Sequence, residues 1–255
     1  MPKFYNLERP ILTVMINRPK DYDDVISRIR KGLENGAEAF GFCMEGLDSK
    51  FRTREYLTKI FDAMDSRPAY LTDYRRGNVN PDLSDDELAE ELLLALDCGA
   101  GLIDIWGDMF SESPIEITKD EAAIEKQTKL ADTIHKMGGE VLISSHTHHY
   151  MTPEEVLEIA RLQEARHADI AKIVTNADTE KELKDNFDIL FMLKENIKID
   201  TLFLCNGDNC RLHRLFGPMI AGSSLFLCTN EHEVGNNQPT IETARKIINM
   251  QEVKK

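Results

Sequence analysis

Lys172 stands inside an apolar run, "IAKIV" at 170–174. Taking an ammonium out of water is costly, and a buried lysine responds by giving up its proton or by pairing with a carboxylate. A neutral amine adds to ketones and aldehydes. Two plainer readings stand beside that one: the side chain snorkels out of the strand end, or it pairs with an acid such as Glu45. The preceding apolar run, "EVLISSH" at 140–146, ends in His146. Residues two apart on a strand share a face, so Leu142, Ser144 and His146 form one set and Ile170, Lys172 and Val174 another. On neighbouring strands about 4.8 Å apart, both sets can face one interior. An imidazole beside an imine-forming lysine can remove a proton next to a carbonyl. The lysine makes the electron sink and the histidine moves the proton. Lys172 and His146 are the candidate catalytic pair.

His146 opens a cluster of three histidines in a chain that has 7. His148 and His149 fall in a polar loop, where solvated roles are expected. A metal site built from these histidines with Glu45 or Asp104 is an alternative, but H-x-H and H-H lack the i, i+4 helical geometry of a known zinc motif. The expectation is no metal and no organic cofactor.

Strands and helices must position this pair. Short runs rich in Val, Ile, Leu and Phe recur at 11–18, 38–45, 68–75, 102–109, 140–147, 170–177, 200–207 and 224–231. Each is followed by a charged stretch of helical period, at 21–35, 53–65, 84–98, 118–137, 153–166, 179–196, 209–220 and 240–253. Near-continuous apolar strands indicate a sheet covered on both faces, hence parallel. Helices after every strand supply the crossovers. Eight such units in about 250 residues predict a single (β/α)8 TIM barrel over residues 1–255. The rival, a doubly wound open sheet, usually has fewer strands, and no G-x-G-x-x-G follows the first run. Thr152, Pro153 and Glu155 read as N-cap, first helical residue and capping-box partner; Thr179 and Thr240 read as further caps. Active sites of such barrels form at the C-terminal ends of the strands. His146, Asp104, Asp108, Glu45, Arg75 and Asn206 all fall there.

Composition narrows the partners. The chain has 255 residues, 42% of them hydrophobic, and a formal net charge of −14. That overall field repels a polyanion, so no nucleic-acid partner is expected, whereas an arginine cluster can still reverse the field for an anionic small molecule inside one cleft. Of the 5 cysteines, Cys43, Cys205 and Cys228 lie in apolar runs and no C-x-x-C pair occurs, which fits reduced thiols in a cytoplasmic protein. No apolar signal core opens the chain and no run of about 18 apolar residues occurs, so no membrane segment is expected. The sequence does not fix the oligomeric state; a homodimer is compatible with it.

The segment "SSHTHHYMTPEEVLEIARLQEARHADIAKIV" resembles the fifth-strand to sixth-strand region of type I 3-dehydroquinate dehydratase. That family shows S-x-H-x-x-H-x-T-P and then A-D-I-x-K-[IV]. Ser144, His146, His149, Thr152 and Pro153 match the first motif, with one extra residue before Thr152, and Ala168, Asp169, Ile170, Lys172 and Ile173 match the second. The resemblance implies a (β/α)8 barrel, an imine between Lys172 and a substrate ketone, His146 as general acid/base, and a place in the shikimate pathway of aromatic amino acid biosynthesis. It further implies that Arg214 in "NGDNCRLHR", Gln238 in "NNQPT", Arg75 in "DYRRG" and Glu45 in "GFCMEGLD" contact substrate. The seventh-strand motif has lost a methionine, a glycine and a serine, and the second-strand E-x-R has no arginine. The fourth-strand D-x-E keeps Asp104 only. The glutamate that orients the histidine in the family is missing from "GNVNPDL".

The leading expectation is therefore a Schiff-base lyase that dehydrates 3-dehydroquinate to 3-dehydroshikimate or acts on a close analogue. A second keeps the chemistry on another hydroxy-ketone or sugar acid, as dehydratase or aldolase. A third is a barrel that binds a small molecule without turnover, and a metal-dependent sugar epimerase stands last.

Overall fold

In the computed structural model, residues 4, 7–80, 82–233 and 236–252 are described. Eight parallel strands alternate with eight helices: β1 (Ile11–Ile16), α1 (Tyr22–Glu34), β2 (Ala39–Cys43), α2 (Arg54–Ala63), β3 (Ala69–Thr72), α3 (Asp85–Cys98), β4 (Leu102–Trp106), α4 (Glu121–Lys136), β5 (Glu140–His146), α5 (Pro153–Glu164), β6 (Ile170–Asn176), α6 (Glu180–Asn196), β7 (Asp200–Asn206), α7 (Cys210–Ala221), β8 (Leu225–Cys228) and α8 (Ile241–Glu252). Each predicted unit is present. The strands are shorter than the apolar runs, because the polar residues closing each run turn outward into the βα loops.

The hydrogen-bonded ladder runs β7-β6-β5-β4-β3-β2-β1-β8 and curls into a (β/α)8 TIM barrel. Its two ends, β7 and β8, share no ladder among the described residues, and the Ser224 hydroxyl on the Asp200 carboxylate ties them instead. Inward-facing residues fill the barrel: Met15, Ala39, Tyr70, Leu102, Leu142, Ile170, Val174, Leu202, Leu204, Leu225 and Leu227, with Phe4 among them. The Phe4 backbone N–H donates to Glu140 Oε2 at 2.6 Å, which closes the N-terminal end. Outward-facing residues pack under the helices. The barrel's interior is thus dry and layered up to the level of Lys172, and polar chemistry is confined to the C-terminal mouth.

The expected caps are formed. Thr152 and Glu155 make the capping box of α5 with Pro153 in its first turn, and Thr179 with Glu182 does the same for α6. Thr240 Oγ1 accepts the Thr243 N–H at 3.3 Å at the start of α8.

Candidate active site

The β5–β6 register sets Ser144 opposite Lys172 and His146 opposite Val174. Leu142, Ile170 and Val174 all belong to the interior cluster, so the face that carries Lys172 and His146 looks into the barrel, as the alternation predicts.

Lys172 is 6% exposed. Its Nζ donates to the hydroxyls of Tyr70 (2.8 Å) and Tyr74 (2.7 Å) and to Asp104 Oδ2 (3.1 Å). Both phenols in turn donate to that same Oδ2 at 2.5 Å, and Tyr74 also reaches Ser144 Oγ at 3.4 Å. Burial first, and then the Asp104 charge, push both phenols well above the usual tyrosine value, so they stay protonated donors. Asp104 Oδ1 is buried without a hydrogen-bond partner. The partner of Lys172 is thus Asp104 with two tyrosines, not the Glu45 that the sequence offered. Glu45 instead accepts the Thr72 hydroxyl at 2.9 Å, and burial raises its carboxyl.

His146 rests edge-on against Tyr74, ring centroids 5.3 Å apart. Its Nδ1 lies 2.9 Å from Glu116 Oε2, and the same oxygen accepts the His146 backbone N–H at 2.8 Å. Glu116 comes from the β4–α4 loop. Burial alone would raise its carboxyl, but the hydrogen bond and charge of His146, its backbone N–H and Arg76 together hold it below the ordinary range. An ionised Glu116 fixes the proton of a neutral imidazole on Nδ1 and leaves Nε2 as a free base. Burial first, then the Lys172 charge, lower the His146 pKa from its ordinary value despite Glu116, so the ring is neutral near pH 7.

The loop that delivers Glu116 is held at several points. Glu116 itself has φ +50°, a left-handed backbone that an L residue adopts only under constraint. Its carbonyl accepts the Ser145 hydroxyl at 2.7 Å. Gly107 lies so close that a Cβ there would stand 2.4 Å from the Glu116 carbonyl oxygen. Thr118 N–H closes the loop onto the Gly107 carbonyl at 2.9 Å. Arg76 Nη1 meets the other carboxylate oxygen, Oε1, at 2.9 Å.

Of the residues expected to bind substrate, three line one cleft. This cavity of about 720 Å³ lies at the mouth around the ends of β1, β2, β7 and β8 and is lined by Glu45, Arg214 and Gln238 among others. Lys172 and His146 do not line it. It approaches Lys172 through Cys43 and Glu45, both close enough for the Lys172 charge to act on them. Arg214 is 6% exposed; its Nε donates to the Cys205 carbonyl (2.7 Å) and Nη2 to Asn206 Oδ1 (2.6 Å). Arg75 stands elsewhere. It forms ion pairs with Asp85 (2.9 Å), Asp108 (2.9 Å) and Glu112 (2.8 Å) and lies 4.6 Å over the Trp106 ring. His148 and His149 are exposed, and no group of three or more His, Cys, Asp or Glu among the described residues could hold a metal ion.

The family model of type I 3-dehydroquinase matches residues 14–255. No curated protein sequence matches the chain. Among solved structures, 3-dehydroquinate dehydratase from Geobacillus kaustophilus HTA426 is similar with TM-score 0.81 at 14% identity, over 96% of this chain and 92% of that one. Type I 3-dehydroquinate dehydratase from Clostridium difficile, covalently modified by comenic acid, gives TM-score 0.81 at 17% identity, over 98% and 96%. The Aquifex aeolicus VF5 enzyme gives 0.71 at 17%, over 94% and 98%. At such identities the likeness is one of fold.

Proposed function

This chain belongs to the type I 3-dehydroquinase family of hydro-lyases, and we propose that it dehydrates 3-dehydroquinate to 3-dehydroshikimate through an imine on Lys172, with His146 as the acid/base. The observation that carries the reading is the pairing, inside one barrel, of a buried amine clasped by Tyr70, Tyr74 and Asp104 with a neutral imidazole oriented by Glu116. The covalent comenic acid on the Clostridium difficile relative fits a family that bonds to its ligands.

The steps follow from those contacts. Attack needs a free amine, and Asp104 Oδ2, 3.1 Å from Nζ, is the acceptor for the proton shed. Nζ adds to the ketone, and the carbinolamine loses water to give a protonated imine. His146 Nε2 takes the proton from the carbon next to the imine carbon, and the electron pair moves into an enamine. The same ring then delivers that proton to the hydroxyl on the next carbon, which leaves as water as the imine re-forms in conjugation with the new double bond. Hydrolysis releases the enone and restores the amine. Glu116 balances the imidazolium during the transfer. Arg214, Gln238 and Glu45 hold the carboxylate and ring hydroxyls, a charged bond in the case of Arg214.

A second reading keeps the imine and changes the hydroxy-ketone acid. It is favoured by Arg75, which is engaged by three carboxylates and so leaves the pocket differently charged from the family pattern. Borohydride reduction in the presence of a panel of hydroxy-keto acids tests both. The expected result is one reduced adduct on Lys172 with dehydroquinate, lost in Lys172→Ala. An active but unlabelled enzyme would end the imine reading, and labelling by another acid alone would select the second.

A further inference from the structure

The cleft around the mouth of β1 and β8 has four basic residues in its lining, Arg18, Arg28, Lys31 and Arg214. Two are neutralised on the spot. Arg28 pairs with Asp24 at 3.0 Å and lies 3.8 Å from Glu233, and Lys31 pairs with Glu231 at 2.9 Å. Those pairs use up every carboxylate of the lining except Glu45, whose carboxyl burial raises. Arg214 has only neutral partners, Cys205 O and Asn206 Oδ1. Arg18 makes no hydrogen bond or ion pair among the described residues. Neither Arg18 nor Arg214 forms an ion pair among the described residues, so the cleft presents two guanidinium groups that no carboxylate engages directly.

Arg18 is also held in place. It lies two residues past the end of β1 with φ +43°, which a non-glycine residue keeps only where its surroundings demand it. Pro19 comes next and stiffens the turn. Gly46, in the loop after β2, packs so tightly that a Cβ there would stand 2.8 Å from Arg18 Cα and 2.8 Å from Pro19 Cδ. On the other side, Arg28 Nη1 donates to the Asn17 carbonyl at 2.9 Å. Arg18 is exposed and lines the cleft, so its constrained backbone presents there a guanidinium that no carboxylate among the described residues engages. In the ring, β8 lies between β1 and the seam with β7, so Arg18 after β1 and Arg214 in α7 stand on either side of the β8 mouth.

We infer that Arg18 is a specificity-determining residue: with Arg214 it forms a two-arginine site for the carboxylate of the substrate, one guanidinium to each side of that group. The inference rests on the function proposed above, and it commits to a ring acid with one carboxylate. Two charge-assisted contacts, rather than one, make the presence of the negative charge a condition of binding.

The test uses quinate, which has the carboxylate and hydroxyls but no ketone, and its neutral methyl ester, with binding to the full chain measured by calorimetry. Wild type should prefer quinate. Arg18→Ala should weaken quinate roughly tenfold and leave the ester unchanged, and Arg18→Lys should recover part of the loss. The same differences should persist in a Lys172→Ala background, because quinate forms no imine. The inference is overturned if Arg18→Ala binds quinate like wild type, if it weakens acid and ester equally, or if wild type binds no quinate. Failure of borohydride labelling with these differences intact would sink the imine and not the arginine site.

Discussion

Glu116→Gln separates orientation from charge at the imidazole. In the native chain Oε2 receives both the Nδ1 of His146 at 2.9 Å and its backbone N–H at 2.8 Å. Glutamine keeps an oxygen for those donors and removes the negative charge. A hydrogen bond to a charged group contributes about 1.5–3 kcal/mol and a neutral one about 0.5–1.5 kcal/mol, so the developing imidazolium loses roughly 1–1.5 kcal/mol of support. That converts to about a tenfold lower kcat. Glu116→Ala goes further and strands two donors, at about 1–3 kcal/mol each where they are fully buried. The pH profile supplies a sign. Burial and Lys172 lower the His146 pKa, and Glu116 works against them. Without the carboxylate the value falls further, so the acid limb of kcat/KM should move to lower pH in Glu116→Gln even as the plateau drops. The assay is enone absorbance from pH 4 to 8, with borohydride labelling of Lys172 as the control that imine formation survives. A variant with wild-type kcat and an unmoved acid limb would refute the assignment. A slower variant with an unmoved limb would leave Glu116 a purely structural part of its loop.

His146→Ala should lose about 10²–10⁴-fold in rate while still forming the imine, and His148→Ala should lose little; activity removed by a chelator and restored by zinc would contradict both. Arg75→Ala should act on the mouth's geometry and stability, since its partners are Asp85, Asp108 and Glu112; a rise in KM alone, with an unchanged thermal midpoint, would restore it to substrate binding. Burial, then the Arg214 charge, lower the His213 pKa to about 4, with the ring packed against Phe187 and Phe203. The unfolded chain takes up that proton below about 6.5 and the folded one only near 4, so stability falls as pH drops through this window, by up to roughly 3 kcal/mol. His213→Leu should flatten the fall in urea midpoint between pH 7 and 5, and an unchanged slope would count against it.

The barrel was legible because it rests on periodicity. Runs such as "EVLISSH" and "IAKIVTN" are apolar on both faces, as a strand buried between core and helices must be, and β5 and β6 take just those residues. The inward placement of Lys172 and His146 followed from alternation. Their partners did not, since contacts between Lys172 and Tyr70, Tyr74 and Asp104 join three strands and depend on register around the ring. Glu116 was hidden for a related reason. The glutamate that orients the histidine in the family follows the third strand and is missing from "GNVNPDL", whereas here the acid is supplied by the loop after the fourth. One signal was available: the segment from Gly107 to Asp120 is the longest of the βα connections, and long loops at this end of a barrel carry function. The surroundings of Arg75 were equally hidden. Its acidic neighbours Asp85, Asp108 and Glu112 lie far enough along the chain that no local pattern pairs them with it.

The origin of Glu116 has a structural cost that explains several otherwise puzzling residues. All βα loops converge at the strand C-termini, so an acid from the β4 loop can reach the end of β5 as readily as one from β3. The β4 loop is long, and a long loop places a carboxylate only if its own backbone is fixed. Arg166 does that work from beneath. It is 2% exposed, its Nη1 donates to the Gly107 carbonyl (2.7 Å) and Gln127 Oε1 (2.8 Å), and its Nη2 donates to the Thr118 carbonyl. Gly107 and Thr118 are the two ends of the segment bearing Glu116. Burial lowers the Arg166 pKa to about 10, so the group is still charged at neutral pH although every one of these partners is neutral. A buried cation without a counter-ion is unfavourable for stability by itself. Its five donors in a rigid fork are what two carbonyls at the ends of the loop and one amide oxygen on α4 require. The interior arginine, the left-handed Glu116 and the crowded Gly107 are therefore parts of one device, which holds a carboxylate against the imidazole that has to move the proton.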